Sequence, residues 1–254
     1  MLLVVKFFIT ILLLSFSTSA ISKDIYVLLL QEKTSSICKV EMLDGVQGVY
    51  QLGLDGQEIP VRSSSFSGNC MESGIWISLG QEMIKSAKAS RVIFMLVGAE
   101  RTAIDDWLEG GRAREKLQLA LVKANEKKIN FDYVFWQGGL IDHSFSEQNY
   151  QMKVQKVLKL VKLNARAGKF IISGSVNCSG KINKNHTGYR WDPLLKRFSG
   201  PIISELGSQS YTDQCEFNEL GNRKMTQLWL RAINEAEIGD RKYQKESLLF
   251  YFKT

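Results

Sequence analysis

Four short, unbroken apolar runs punctuate this chain: Ile25-Tyr26-Val27-Leu28-Leu29-Leu30, Val92-Ile93-Phe94-Met95-Leu96-Val97, Tyr133-Val134-Phe135-Trp136 and Phe170-Ile171-Ile172. A strand with one wet face alternates apolar and polar residues; an unbroken run belongs to a strand covered on both faces, as in a parallel sheet. Other stretches carry helical spacing, with Tyr150, Val154, Val157, Leu158 and Val161 on one stripe and Met225, Leu228, Trp229, Ala232 and Ile233 on another. Strand and helix taking turns imply an α/β fold whose mostly parallel central sheet is sandwiched by helices. Sites in such sheets form at the carboxyl ends of the strands. The residues after Leu30, Val97 and Trp136, and the loop before the last long helix, are therefore the places where chemistry is expected. No repeat or low-complexity linker divides the chain. The Gly- and Ser-rich stretch 47–73 reads as an excursion from the sheet, and 174–212 lacks any clear periodicity, as long functional loops do. The tail 238–254, ending in Leu248-Leu249-Phe250-Tyr251-Phe252, has no secure assignment from sequence.

The first twenty residues read as a signal peptide. Lys6 is their one cation, Phe7 to Phe16 is apolar, and Ser17-Thr18-Ser19-Ala20 supplies the small residues a signal peptidase needs. The apolar core is about ten residues, too short to cross roughly 30 Å of hydrocarbon. The expected organisation is thus a signal peptide over 1–20 and a single domain over 21–254, exported to the periplasm or the extracellular space, with no membrane span after cleavage. The formal charge of +7 includes Lys6. Lys153, Lys156, Lys159 and Lys162 recur every third residue, which reads as a solvated helix face rather than a nucleic-acid surface. Four cysteines, Cys38, Cys70, Cys178 and Cys215, suggest two disulfide bonds in an oxidising compartment. Three pairings are possible, and chain order favours Cys38 with Cys70 and Cys178 with Cys215. No CxxC or clustered histidine accompanies them, so neither a zinc site nor a cofactor is expected, and the chain is expected to be a monomer.

Four segments at the expected strand ends carry a family resemblance. They are Asp24 to Lys33, ending Gln31-Glu32-Lys33; Val97-Gly98-Ala99-Glu100-Arg101-Thr102 with the downstream Trp107; Phe135-Trp136-Gln137-Gly138-Gly139; and Thr212-Asp213-Gln214-Cys215-Glu216-Phe217-Asn218-Glu219-Leu220-Gly221. In order and placement they resemble the GQSN turn, the Gly-Gly-Thr/Ser block, the WHQGE segment and the DxCHFN-x-x-G segment of the sialate O-acetylesterase branch of the SGNH hydrolases. The resemblance implies a three-layer, flavodoxin-like SGNH-hydrolase fold and a carbohydrate or polysaccharide ligand. It also implies a serine nucleophile, a histidine base held by an aspartate, and an oxyanion site of backbone amide and side-chain amide donors.

The chain departs from that pattern where the chemistry lies. Glu32 stands at the nucleophile position and Lys33 at the following Asn, while Leu30 replaces the family Gly. Glu216 stands at the base position, with Asp213 retained as the orienting acid and Gln137 at an oxyanion position. Glu100 and Arg101 occupy a turn where small, amide-exposing residues are expected, and would face a ligand. Trp191, in Tyr189-Arg190-Trp191, is a candidate to stack on a sugar ring. The sequence thus points to an SGNH-fold protein that binds an acetylated envelope polysaccharide or assists its processing without hydrolysing it. Two alternatives stay open. One is an active esterase with a relocated nucleophile among Thr34, Ser35 and Ser36, served by His143 or His186. The other is a carboxylate site, Glu32 with Asp213 and Glu216, holding calcium or acting on a glycosidic bond.

Overall fold

The structure is a computed structural model, and it describes residues 23–31, 47–61, 73–98, 102–138, 142, 145–174, 196–202, 206–210 and 217–251, with no account of the side chains of 73–74 and 242–251. Seven strands form one sheet: β1 (Asp24–Gln31), β2 (Val49–Leu52), β3 (Glu58–Pro60), β4 (Arg91–Gly98), β5 (Asn130–Gln137), β6 (Arg166–Gly174) and β7 (Arg197–Ile202). Among the described residues four helices accompany them, α1 (Ser73–Lys85), α2 (Arg112–Glu126), α3 (Glu147–Asn164) and α4 (Glu219–Tyr251), with 3-10 turns at Ile104–Trp107 and Ser208–Ser210.

The strand order is β3-β2-β4-β1-β5-β6-β7, and every neighbouring pair is parallel except the β2–β3 hairpin. Without that hairpin, the parallel strands run in the order second, first, third, fourth, fifth, which is the flavodoxin-like doubly wound arrangement. The chain leaves β1 for β4 on one side and returns for β5 on the other, so a crevice opens beside the carboxyl end of β1.

Successive side chains of a strand point to opposite faces, and two apolar layers result. On one face Val27, Leu29, Phe94, Leu96, Phe135 and Ile171 pack against Trp76, Leu79 and Met83 of α1 and Met225, Trp229 and Ile233 of α4. Trp229 stacks on Phe135 with centroids 4.6 Å apart and meets Trp76 at 5.2 Å. On the other face Leu28, Leu30, Met95, Val134, Trp136 and Ile172 pack against Leu117 and Leu121 of α2 and Tyr150, Val154 and Leu158 of α3. There Trp107 meets Trp136 edge-on at 5.1 Å, and the Trp136 indole N–H donates to the Tyr150 hydroxyl at 3.1 Å. The result is a three-layer α/β fold with a mostly parallel central sheet.

Helix α4 descends this sandwich from the carboxyl edge of the sheet to the amino edge. Trp229 lies on Phe135; two turns later Glu237 accepts from the Tyr133 hydroxyl at 2.6 Å and from Lys88 Nζ at 2.7 Å. Asp240 then pairs with Lys169 at 3.5 Å and Lys196 at 3.2 Å, at the starts of β6 and β7. The segment that opens α4 is thereby held at the carboxyl edge.

Each of the four apolar runs lies in a strand, and both apolar stripes lie in helices. Strand β7 lies inside the stretch that showed no periodicity, and its Gly200-Pro201 explains why, since both residues are poor strand formers. The excursion 47–73 contains the β2–β3 hairpin, and the unassigned tail continues α4 as far as Tyr251. Lys156, Lys159 and Lys162 are exposed, whereas Lys153 pairs with Asp105 at 2.5 Å and lies over the Phe145 ring. Among the described residues no helix is long and apolar enough to cross a membrane.

The expected disulfide bonds require correction. Cys38, Cys70, Cys178 and Cys215 all lie outside the described residues, and among the described residues there is no disulfide bond. A disulfide needs sulfurs about 2.05 Å apart on α-carbons within about 7 Å. Even cysteine count and chain order, which prompted the expectation, carry no information about that separation.

Candidate functional site

The carboxyl edge of the sheet is built from the ends of its central strands. Gln31, the last residue of β1, pairs in register with Gly98 on β4 and with Gln137 on β5. The β5–β6 ladder reaches Trp136 and Ile172, and the residues that follow these partners are Gln137 and Ser173. Alternation from Leu29, Phe135 and Ile171 puts Gln31, Gln137 and Ser173 on the face covered by α1 and α4. A row of two amides and a hydroxyl thus crowns the aromatic layer of Phe135 and Trp229, with adjacent strands about 4.8 Å apart. Gly98 ends the row without a side chain. Gln31 and Ser173 are buried, and Gln137 is half-buried at the opening. Leu30 points the other way, into the α2–α3 layer, so it belongs to the core.

The loops after β4 and β5 are tied together above this row. Asp142 is fully buried, and both its carboxylate oxygens accept the backbone N–H of Ile104, at 3.1 and 3.2 Å. The Asp106 carboxylate accepts from the Ala103 N–H at 2.9 Å, closing the start of the same 3-10 turn. Trp107, at the end of that turn, is buried against Trp136. Lys116 of α2 donates to the Gly98 carbonyl at 3.2 Å, placing a cation against the end of β4. Thr102, just before the turn, is buried too.

The segment that opens α4 is fixed by its own chemistry. Asn218 caps the helix: its side-chain oxygen accepts from the Gly221 N–H at 3.0 Å, while its side-chain amide donates to the Gln209 carbonyl at 2.8 Å. Its backbone N–H donates to the Ser210 carbonyl at 3.1 Å. A Cβ on Gly221 would stand 2.1 Å from that same carbonyl oxygen, so the first turn of α4 can lie against 208–210 only with glycine there. The Asn and Gly matched in sequence are therefore holding the helix start in place.

Of the residues expected at the site from sequence, Gln137 is the one described, and it is the last residue of β5. Glu32, Glu100, Arg101, Trp191, Asp213 and Glu216 lie outside the described residues, as do Lys33, Thr34, Ser35, Ser36, His143 and His186. Glu32 is next in sequence after Gln31, and Glu216 precedes Phe217 and Asn218 at the head of α4. Among the described residues no group of three His, Cys, Asp or Glu side chains could hold a metal ion. Sequence reasoning missed Asp142 and Ser173. Nothing marked Asp142 as buried, and Ser173 reads as an ordinary end to an apolar run.

Perturbed titratable groups cluster away from this edge. Burial, then the hydrogen bond to Glu58, pushes the Tyr26 phenol up to about 12. Burial and the hydrogen bond to Glu237 raise Tyr133 far above its ordinary value. Burial alone would raise Glu237, but hydrogen bonds from Lys88 and Tyr133 outweigh it and hold the carboxyl below its usual range. Glu58 is likewise lowered against burial, by Tyr26 and Arg91. Tyr26 and Arg91 sit near the starts of β1 and β4, and Glu237 meets Tyr133 well below Gln137, so these groups fasten the framework rather than face a ligand.

No protein-family model matches the sequence, and no curated protein matches it. Two solved structures resemble the fold. A protein from Arabidopsis thaliana superimposes with a TM-score of 0.59 at 13% identity, over 86% of this chain and 99% of its own. A candidate GDSL-like lipase from Parabacteroides merdae superimposes with a TM-score of 0.50 at 12% identity, over 83% of this chain and 96% of its own. The likeness extends over nearly the whole of both neighbours, and the fold is of the SGNH/GDSL-lipase type.

Proposed function

We propose that this chain is an exported SGNH-fold protein that binds an acetylated carbohydrate of the cell envelope, or assists its processing, without hydrolysing the ester. The observation that supports the reading most is the pairing of Gln31 with Gln137 at the head of the crevice beside β1. The described parts of the segments that resemble a carbohydrate-esterase site end β1, β4 and β5 and open α4, while the next residue after Gln31 is Glu32 and the residue at the base position is Glu216. A carboxylate at the nucleophile position offers no hydroxyl, and its charge repels a developing oxyanion. An unperturbed Glu titrates near about 4.3 and is a weak base at neutral pH. Both losses fall on one step, and losing such a unit removes about a million-fold of a serine hydrolase's rate.

The test is acetyl release from 4-nitrophenyl acetate and O-acetylated xylo-oligosaccharides, run beside calorimetric binding of the same oligosaccharides. Hydrolysis below about a thousandth of an ordinary esterase's rate, together with binding, is the expected result. Glu32→Ser with Glu216→His is expected to recover a trace at best, since Lys33 and Glu100 would still stand at the sequence positions that the resemblance assigns to the oxyanion turn. Robust turnover that vanishes in Ser35→Ala or Ser36→Ala would instead establish a relocated nucleophile.

A further inference from the structure

We infer that Ser173 is a ligand-contacting residue, whose hydroxyl hydrogen-bonds the carbonyl oxygen of a small acyl group seated on the Gln31–Gln137–Ser173 row. The inference rests on the carbohydrate reading for the nature of the acyl carrier, and on the geometry of β6 for everything else.

Three observations converge on Ser173. It is 2% exposed, and its Oγ is the only buried side-chain hydroxyl among the described residues without a hydrogen-bond partner. The comparable buried hydroxyls are satisfied: Ser210 donates to the Leu206 carbonyl at 2.6 Å, and Thr226 to the Asn222 carbonyl at 2.8 Å. A native fold rarely leaves such a group orphaned, and where it does, a bound species is a standard explanation.

The second observation is that the sheet is irregular at this point. The β6–β7 register shifts between Ile172 and Gly174, which is the signature of a bulge. Gly200 makes the shift possible, because a Cβ there would stand 2.8 Å from the Ile172 carbonyl carbon and from the Ser173 nitrogen. Pro201 follows, and it brings no N–H to the ladder. Bulges gather beside sites, where they re-aim a side chain or end strand pairing.

Third, the surroundings are chemically mixed in the way an acyl group requires. Gln137 and Ser173 directly follow the paired residues Trp136 and Ile172, and the layer beneath is apolar, formed by Phe135 and Ile171. A carbonyl with one short alkyl substituent can accept from Ser173 and rest its methyl on the floor.

Ligand-observed NMR titration separates the possibilities with three probes: N-methylacetamide, methyl 2-O-acetyl-β-D-xylopyranoside and its unacetylated parent. Wild type is compared with Ser173→Ala and with Ser173→Cys, which keeps the shape but hydrogen-bonds weakly. The expected result is that both acyl probes bind wild type, that each variant weakens them about tenfold, and that Ser173→Ala melts no lower than wild type. Binding of N-methylacetamide that depends on Ser173, with the acetylated sugar no tighter, sustains the inference and overturns the carbohydrate reading. Acetylated-sugar binding unchanged in both variants overturns the inference and leaves that reading standing. If wild type binds neither acyl probe, both fail.

Discussion

Glu237 offers the sharpest test of how α4 is held. Its carboxylate accepts from the Tyr133 hydroxyl at 2.6 Å and from Lys88 at 2.7 Å. Tyr133 is 4% exposed, so removing the carboxylate leaves a buried phenol without its acceptor. A hydrogen bond to a charged group contributes about 1.5–3 kcal/mol. The Lys88 pair is partly open to solvent, with side chains 20% and 29% exposed, and adds no more than about 1 kcal/mol. Glu237→Ala is therefore expected to destabilise by about 2–3 kcal/mol, or roughly 5–10 °C in Tm for a domain of this size. Urea unfolding followed by tryptophan fluorescence is the natural readout, because Trp229 lies two turns away on the same helix.

A double-mutant cycle isolates the pair. In a Tyr133→Phe background the cost of Glu237→Ala should fall by at least about 1 kcal/mol, since the orphaned hydroxyl is gone. The pH dependence carries its own sign. Lys88 and Tyr133 hold the Glu237 carboxyl below its unfolded value, so its contribution is present above the unfolded pKa and is lost as pH falls through the folded one. The gap between wild type and Glu237→Gln should therefore close as the solution is acidified through the carboxylate range. Coupling within about 0.3 kcal/mol of zero, or a pH-independent gap, would refute the claim that this network anchors the helix.

Further outcomes follow from the same geometry. Gly221→Ala should cost about 2–3 kcal/mol by urea unfolding, because its Cβ meets the Ser210 carbonyl at 2.1 Å and the start of α4 must shift. Asn218→Ala should cost about 1 kcal/mol through loss of the cap, with Asn218→Asp retaining most of the stability. Trp229→Ala should cost about 3–5 kcal/mol, since the indole fills the layer between Phe135 and Trp76. At the alkaline end the sign reverses: Tyr133 resists deprotonation when folded, so stability should decline above about pH 10, and less steeply in Tyr133→Phe.

What could be read from the sequence follows from burial. Strands β1, β4, β5 and β6 are covered on both faces and advertise it as unbroken apolar runs. Strand β7 lies at the sheet edge, where Gly200 and Pro201 serve the bulge and erase the pattern. The β2–β3 hairpin did leave a signal. Asp55-Gly56 sits in its turn, with Gly56 at φ +79° and the Asp55 carboxylate accepting the Gln57 N–H at 3.0 Å, as the Asp-Gly pair of many hairpins does. Asp142 had no such signature, because its burial comes from a contact with Ile104, thirty-eight residues away along the chain.

The segments that suggested a family carry two separable kinds of information. Trp107 and Trp136 are matched positions, and each fills the layer beneath α2 and α3. Asn218 and Gly221 are matched positions too, and each fixes where α4 begins. These residues would be required by the fold whatever chemistry it carried. The nucleophile and base of a serine hydrolase have no comparable packing duty, so such a framework can persist without them. A structural match at 12–13% identity therefore speaks for the framework alone. What this framework presents to a ligand is Gln31 beside Gln137 at the carboxyl edge, together with the unsatisfied hydroxyl of Ser173 on β6.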